Sequence, residues 1–287
     1  MTEVPRVSGS IVIPAWNEAD AIGRTLAGLF AGLDASEIDV VVACNGCTDG
    51  TADIARSTNL PVVVLDLGHV GKVGAIRAGE RQTDRLPRIY LDADTGLSGI
   101  SATAVLRALG EGAVAARPPV HFVTDRSSWP VRSFYKTKQR LPGVAGDLCG
   151  AGVYGLSADA RARFAEFPEV RGDDLFAARV VRPDEVAIVD TEPVRVFVPR
   201  TARAQIRVLA RTYRGNRELS VDFPDLAHPT TSSTVGQLWS QLRSGHVIDV
   251  VVYCAFVVAG RLASMRPQRS WARDDSSRTP GSAKVAA

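Results

Sequence analysis

Residues 10–18 read Ser10-Ile11-Val12-Ile13-Pro14-Ala15-Trp16-Asn17-Glu18. Ser10 to Ile13 is a β-branched run that predicts a buried strand, and Pro14 ends it. Downstream, Ile22, Leu26, Leu29, Phe30 and Leu33 recur at helical spacing within Ala19 to Leu33. The unit then repeats. Ile38 to Ala43 predicts a second strand, and Thr48 to Arg56 a helix capped near Thr48 or Asp49. Pro61 to Leu65 predicts a third strand, Val73 to Arg81 a third helix, and Ile89 to Leu91 a fourth strand running into Asp92-Ala93-Asp94. Strand–helix alternation of this kind specifies βαβ units, hence an α/β fold with a parallel sheet and helices on both faces. Ligands of such sheets lie beyond the carboxyl ends of the strands. The segments Pro14–Glu18, Cys44–Asp49, Gly68–Lys72 and Asp92–Thr95 are therefore where function is expected.

Beyond Ala113 the pattern loosens. Short strands are expected at Ala113–Ala116, Val153–Leu156, Ala187–Val189 and Val194–Val198. Between the first two lies a basic stretch holding Arg117, Arg126, Arg132, Lys136, Lys138 and Arg140, opposed only by Asp125. Helices are expected at Ala202–Tyr213 and Val235–Leu242. Val247–Gly260 is apolar apart from Asp249, and after Met265 the composition turns to that of a disordered tail. The chain has 287 residues, 45% hydrophobic and 23% charged, which excludes collagen-like, mucin-like and wholly disordered classes. A net charge of +3 is too mild to imply a nucleic-acid partner. Four cysteines do not form a disulfide framework in a chain this long, and Met1–Val7 lacks the apolar core of a signal peptide. A reducing, cytoplasmic setting is the expectation.

Asp92 and Asp94 flank one alanine at a strand end, where a turn can aim both carboxylates at one ion. Two carboxylates plus phosphate oxygens make a hard-oxygen site suited to Mg²⁺ or Mn²⁺; a solvated turn capped by aspartate is the plainer alternative. Four other segments occur in order with this one: Ser10 to Glu18, Asn45-Gly46-Cys47-Thr48-Asp49-Gly50-Thr51, Gly71-Lys72-Val73-Gly74-Ala75-Ile76-Arg77-Ala78-Gly79, and Asp173-Asp174-Leu175. Together, over about Gly9 to Val181, they resemble the motifs of family 2 glycosyltransferases: P-x-x-N-E, D-G-S-T-D-G-T, G-K-x-x-A-x-x-x-G, D-x-D and E-D.

The resemblance implies a GT-A fold, doubly wound and mostly parallel, extended by C-terminal helices. It divides the chain into a nucleotide-sugar-binding and catalytic domain (1–199), a helical region on the acceptor or membrane-surface side (200–265) and the tail (266–287). It further implies an inverting, metal-dependent hexosyltransferase of cell-envelope polysaccharide or glycolipid synthesis. Pro14, Ala15, Asn17, Glu18, Asn45, Lys72 and Asp92 would bind the nucleotide. Asp94 and Asp92 would hold Mn²⁺ or Mg²⁺, with His228 as a further ligand or an ordinary loop histidine. Asp174, with Asp173 beside it, would be the catalytic base, though adjacent carboxylates also serve as helix caps. Gly150 and Gly152 would let backbone approach donor or acceptor. Asn45 replaces the acidic residue that commonly accepts the uracil N3–H; an amide oxygen can also accept it, so a UDP-sugar is favoured, with guanosine and other donors open. A nucleotidyltransferase of similar fold, or a non-catalytic nucleotide-sugar binder, is the alternative.

Three other patterns compete for attention. Cys44-Asn45-Gly46-Cys47 is formally C-x-x-C, yet no second pair exists and Asn-Gly is turn chemistry. Gly150-Ala151-Gly152-Val153-Tyr154-Gly155 satisfies G-x-G-x-x-G but has a poor strand before it and a strand rather than a helix after it. Arg200, Arg203, Arg207, Arg211, Arg214 and Arg217 fall along one helical face with no acid between Pro199 and Arg217. That stripe is either a solvated face or a contact for phosphate on donor, acceptor or anionic lipid, for which Arg207, Arg211 and Arg214 are the candidates. Val247–Gly260 is too short to span a bilayer and fits a buried or interfacial helix. Peripheral contact with the inner membrane face is thus the alternative to a purely cytoplasmic position. The acceptor is not legible.

Overall fold

The computed structural model describes residues 7–226 and 234–265. Strand β1 (Gly9–Ala15) is buried at all seven positions, which is why it reads as an uninterrupted apolar run. The chain continues through α1 (Ile22–Phe30), β2 (Ile38–Asn45), α2 (Thr51–Ser57), β3 (Val62–Leu67), α3 (Gly71–Glu80), β4 (Arg88–Leu91), α4 (Gly99–Gly110), β5 (Ala115–Arg117) and β6 (Val120–Val123). It then forms α5 (Trp129–Gln139), α6 (Pro142–Gly146), β7 (Val153–Leu156), α7 (Ala158–Arg161), α8 (Asp173–Val180), β8 (Val186–Ile188), β9 (Val194–Phe197), α9 (Ala202–Asp222), α10 (Thr234–Arg243) and α11 (Val247–Ser264).

Seven strands form one sheet in the order β3-β2-β1-β4-β7-β5-β8. β1, β2, β3 and β4 run parallel, while β7 lies antiparallel to both β4 and β5. A separate parallel pair joins β6 to β9. Alternation along β1 sends Ile11 and Ile13 to one face and Val12 to the other. The first face is covered by α1, α2 and α4 through residues such as Ile22, Leu26, Ala55 and Leu106. The second is covered by α3, α7 and α8 through Val73, Ile76, Ala160 and Phe176, so the sheet is doubly wound as expected. Gly79 on α3 is required by this packing, because a Cβ there would stand 2.6 Å from Val12 Cγ1. A third cluster, with Phe122, Phe134, Val198 and Phe256, ties the β6–β9 ribbon to the C-terminal helices.

Several elements differ from the sequence reading. α1 is shorter than Ala19–Leu33, and α2 begins at Thr51 after left-handed Gly50, with Asp49 Oδ1 accepting the Thr51 N–H at 3.2 Å. α4, absent from the sequence expectations, is N-capped by Ser98, whose hydroxyl accepts the Ser101 N–H at 3.2 Å. The basic stretch is ordered structure: β6, then α5, which buries Val131, Phe134 and Tyr135 and turns Arg132 and Lys136 outward. α9 runs on to Asp222 and α11 to Ser264, each longer than its apolar pattern suggested.

Candidate active site

The parallel strands deliver their loops to one edge of the sheet, and the first two loops are stitched together. Asn17, at φ 55°, accepts the Thr48 N–H on Oδ1 at 2.7 Å. The Glu18 N–H donates to Thr51 Oγ1 at 2.8 Å, and the Ala19 N–H to Asp49 Oδ2 at 3.1 Å. The Cys47 thiol donates to the Ala15 carbonyl at 3.4 Å. Asn17 thus shapes the two loops that would embrace a nucleoside. Asn45 is buried at the end of β2, and its Oδ1 accepts the Val70 N–H at 2.7 Å, which binds the β3–α3 loop to the same edge. Trp16 and His69 meet edge-on at 6.1 Å where these loops converge; neither stands out in the sequence, because aromatic character alone carries no motif.

Next to this edge is a pocket lined by Pro14, Lys72, Asp92, Gly152, Tyr154, Asp173 and Asp174. Lys72, in the first turn of α3, sets its ammonium 2.8 Å from Asp92 Oδ1 and 2.8 Å from Asp173 Oδ1. Burial works against that charge, but Asp173, then Asp92 and Asp174, outweigh it and hold the Lys72 pKa above the ordinary lysine value. Asp173 opens α8 with only 4% of its side chain exposed, and its second oxygen accepts the Tyr154 hydroxyl at 3.0 Å. Tyr154 in turn stacks on Tyr90 at 4.8 Å. Tyr154 is a site residue missed from sequence: the glycines around it drew the reading toward backbone.

Asp174 is the more exposed carboxylate of the pair. Its Oδ2 accepts the Gly150 N–H at 2.9 Å and its Oδ1 the Leu175 N–H at 2.8 Å. Burial and then the neighbouring Asp173 charge raise its pKa above the usual aspartate range, against the pull of Lys72. Two residues beyond Gly150, Gly152 sits at φ +67°, where a Cβ would fall 2.3 Å from Thr95 Oγ1, and its carbonyl accepts the Asp92 N–H at 2.8 Å. The backbone just before β7 therefore fixes the start of the Asp92–Asp94 turn. Arg117, the first cation of the basic stretch, is buried and donates to the carbonyls of Asp147 at 2.6 Å and Val144 at 3.0 Å, pinning the segment that leads to Gly150.

The donor set suits a hard divalent cation. Asp92 is half-exposed and Asp94 exposed on one turn, and the carboxylates of Asp92, Asp173 and Asp174 share a single ammonium, Lys72. Among the described residues no three His, Cys, Asp or Glu side chains form a metal cage, so any ion here would take one or two carboxylates of this turn together with substrate oxygens. His228 lies outside the described residues, as does the tail beyond Met265. The two decoy motifs resolve as turn and strand. Cys44 is buried, with its thiol pushed up to about 12 by burial and by Cys47, and β7 rather than a helix follows Gly152. Of the arginine stripe, Arg207 and Arg211 are exposed, whereas Arg214 donates to the Ala263 and Ser264 carbonyls at the end of α11.

Residues 10–157 match the family described as Glycosyl transferase family 2. No curated protein matches the chain. Among solved structures, the mannosyltransferase PcManGT from Pyrobaculum calidifontis, in complex with GDP-Man and Mn²⁺, superposes with a TM-score of 0.62 at 15% identity, over 89% of this chain and 86% of that one. S. aureus TarS 1-349 in complex with UDP superposes with a TM-score of 0.51 at 13% identity, over 94% of this chain and 95% of that one. At these identities the likeness is one of fold.

Proposed function

Since the chain belongs to glycosyl transferase family 2, we propose that it moves one sugar from a nucleotide-sugar donor to an acceptor hydroxyl by a single displacement with inversion. The observation that carries this reading is the cluster in which Lys72 bridges Asp92 and Asp173 while Asp174 stands beside them with a raised pKa. Asp174 takes the proton as the acceptor oxygen bonds to the anomeric carbon; the bond from that carbon to the phosphate oxygen breaks, and the nucleoside diphosphate leaves. A base whose pKa is lifted toward the working pH is the better proton acceptor. Asp173, saturated by Lys72 and Tyr154, positions the lysine. Lys72 offers its ammonium to the diphosphate, where charge accumulates as the bond breaks. Asp92 and Asp94 would hold Mn²⁺ or Mg²⁺ against the donor phosphates, and the bound ion would supply further neutralisation of the leaving group. The Mn²⁺ in the mannosyltransferase complex supports this, although the ion is left open between the two.

On this reading Pro14, which lines the pocket, and Ala15, Asn17, Glu18 and Asn45 on the adjoining loops would meet the nucleoside, while Gly150 and Gly152 would let backbone approach the sugar. A UDP-sugar is the favoured donor. A guanosine donor is the second reading, favoured by the engagement of Asn45 Oδ1 with Val70, which leaves the Asn45 amide better placed to donate than to accept. Residues 1–199 supply donor binding and catalysis, and residues 200–265 the acceptor or membrane-surface side, in an enzyme placed in the cytoplasm. The test is donor turnover across a panel of UDP- and GDP-sugars with Mn²⁺, Mg²⁺ or EDTA, for wild type and Asp174→Asn. Metal-dependent hydrolysis or transfer by wild type alone is expected. Equal turnover by both proteins would overturn the assignment of the base.

A further inference from the structure

Helix α11 presents its surroundings with two unlike sides. One side is fastened to the domain from the first turn to the last. Asp249 accepts the Ser133 hydroxyl at 2.6 Å, Tyr253 stacks on Phe134 at 5.0 Å, and Gly260 admits Leu209 so closely that a Cβ would stand 2.7 Å from the leucine Cβ. At the end, Arg214 and Arg217 hold the Ser264 carbonyl at 3.2 and 3.1 Å. The other side carries Ile248, Val251, Val258, Leu262 and Met265, exposed to between 56% and 69%. The helix has 18 residues and is apolar enough to cross a membrane by composition, but a helix tied down along its length cannot stand across a bilayer and remain docked. Exposed apolar surface on this scale marks an interaction site.

The charges around it select the partner. The acid of α11, Asp249, is turned inward to Ser133, and α10 contains none. Arg261 lies over the Tyr213 ring at 5.7 Å, and Arg243 lies 5.9 Å from the ring of Trp239, which is 58% exposed on α10. On neighbouring α9, Arg203, Arg207 and Arg211 are exposed, and no ion pair reaches them among the described residues. A second copy of the chain meeting this face through a two-fold axis would set like charges against one another. Apolar side chains bordered by arginine and tryptophan instead match the boundary between acyl chains and anionic headgroups.

We infer that α10 and α11 seat the protein flat on an anionic bilayer, with the outer face of α11 entering the headgroup–acyl boundary and Arg207, Arg211 and Arg261 meeting lipid phosphates. The seat is separate from the donor pocket and does not depend on which nucleotide that pocket takes.

The experiment is co-sedimentation of the full chain with phosphatidylcholine vesicles, with and without phosphatidylglycerol. Wild type should partition onto the anionic vesicles and lose binding as salt rises. Each arginine near an anionic surface is worth about a fivefold change in partition, so Arg207→Gln/Arg211→Gln/Arg261→Gln should lower it by roughly 100-fold. Val251→Asp/Leu262→Asp should lower it at least about tenfold at any salt, since insertion scales with apolar area. Should melting curves show that this pair folds poorly, Val251→Ser/Leu262→Ser replaces it with the same expectation. Wild type remaining in the supernatant, or either variant binding as wild type does, overturns the inference. So does a wild-type dimer in sedimentation velocity that the Val251 and Leu262 changes dissociate, which would assign the face to a second copy.

Discussion

Lys72→Met tests how much of the site is held together by one ammonium. The substitution keeps most of the aliphatic stem and removes the charge 2.8 Å from both Asp92 and Asp173. Asp92 is 42% exposed and recovers water; Asp173, at 4%, does not, and retains one hydrogen bond, from Tyr154. Breaking a fully buried pair by removing one partner costs about 3–5 kcal/mol. Lys72 is itself 35% exposed, so solvent already shares its charge, and a discounted loss of about 2 kcal/mol is expected. For a chain of 287 residues that is a fall in Tm of roughly 3–4 °C, readable by calorimetry or circular dichroism. Lys72→Met/Asp173→Asn removes the stranded charge as well and leaves an amide oxygen for the Tyr154 hydroxyl. It should regain most of the lost Tm. Nucleoside diphosphate affinity should stay low in both variants, because the ammonium is missing from both. A Lys72→Met protein that melts with wild type, or a double variant no more stable than the single, would refute the reasoning.

The same pocket sets other expectations. Asp174→Asn should keep donor affinity while kcat falls by about 10²-fold or more, measured by released diphosphate. Because the Asp174 pKa is raised, the base is lost as pH falls through a value above the ordinary aspartate range; the acid limb of kcat/KM should lie correspondingly high and be absent from the residual activity of Asp174→Asn. In calorimetry, EDTA should sharply weaken nucleoside diphosphate binding and Mn²⁺ or Mg²⁺ restore it, and equal affinity without metal would remove the role given to Asp92 and Asp94. Gly152→Ala, forced to φ +67° with a Cβ 2.3 Å from Thr95 Oγ1, should lose about 2 kcal/mol of stability and, by shifting the Asp92 turn, weaken diphosphate binding; a wild-type melting curve would show that the loop relaxes freely.

The parallel half was legible because β1, β2 and β4 are buried on both faces and read as apolar runs, with the amphipathic α1 to α3 between the strands. α5 was hidden because its cations, Arg132, Lys136 and Lys138, interrupt the eye while Val131, Phe134 and Tyr135 keep the helical spacing underneath. The antiparallel setting of β7 could not be read, since four residues of strand look alike in either direction. Lys72, Asp92, Asp173 and Asp174 were named through resemblance; their convergence depends on contacts between distant segments, which no local pattern encodes. Arg214 shows a contact that no local pattern discloses. Its place in the stripe suggested solvent or phosphate, whereas the end of α11 supplies the carbonyls it binds.

The position of β7 bears on how such an enzyme can change its acceptor over time. The strand ends at Leu156, and the family match ends at residue 157. By that point Gly152 has fixed the Asp92 turn and Tyr154 has stacked on Tyr90, so the donor half closes on itself. Although β8 and β9 also join strands of this half, the C-terminal elements reach its charged cluster through the opening of α8, where Asp173 and Asp174 engage Lys72, Tyr154 and Gly150. If α9, α10 and α11 form the acceptor side as proposed, a descendant can remodel them to suit a new acceptor while inheriting the nucleotide chemistry intact, provided those two carboxylates keep their seat.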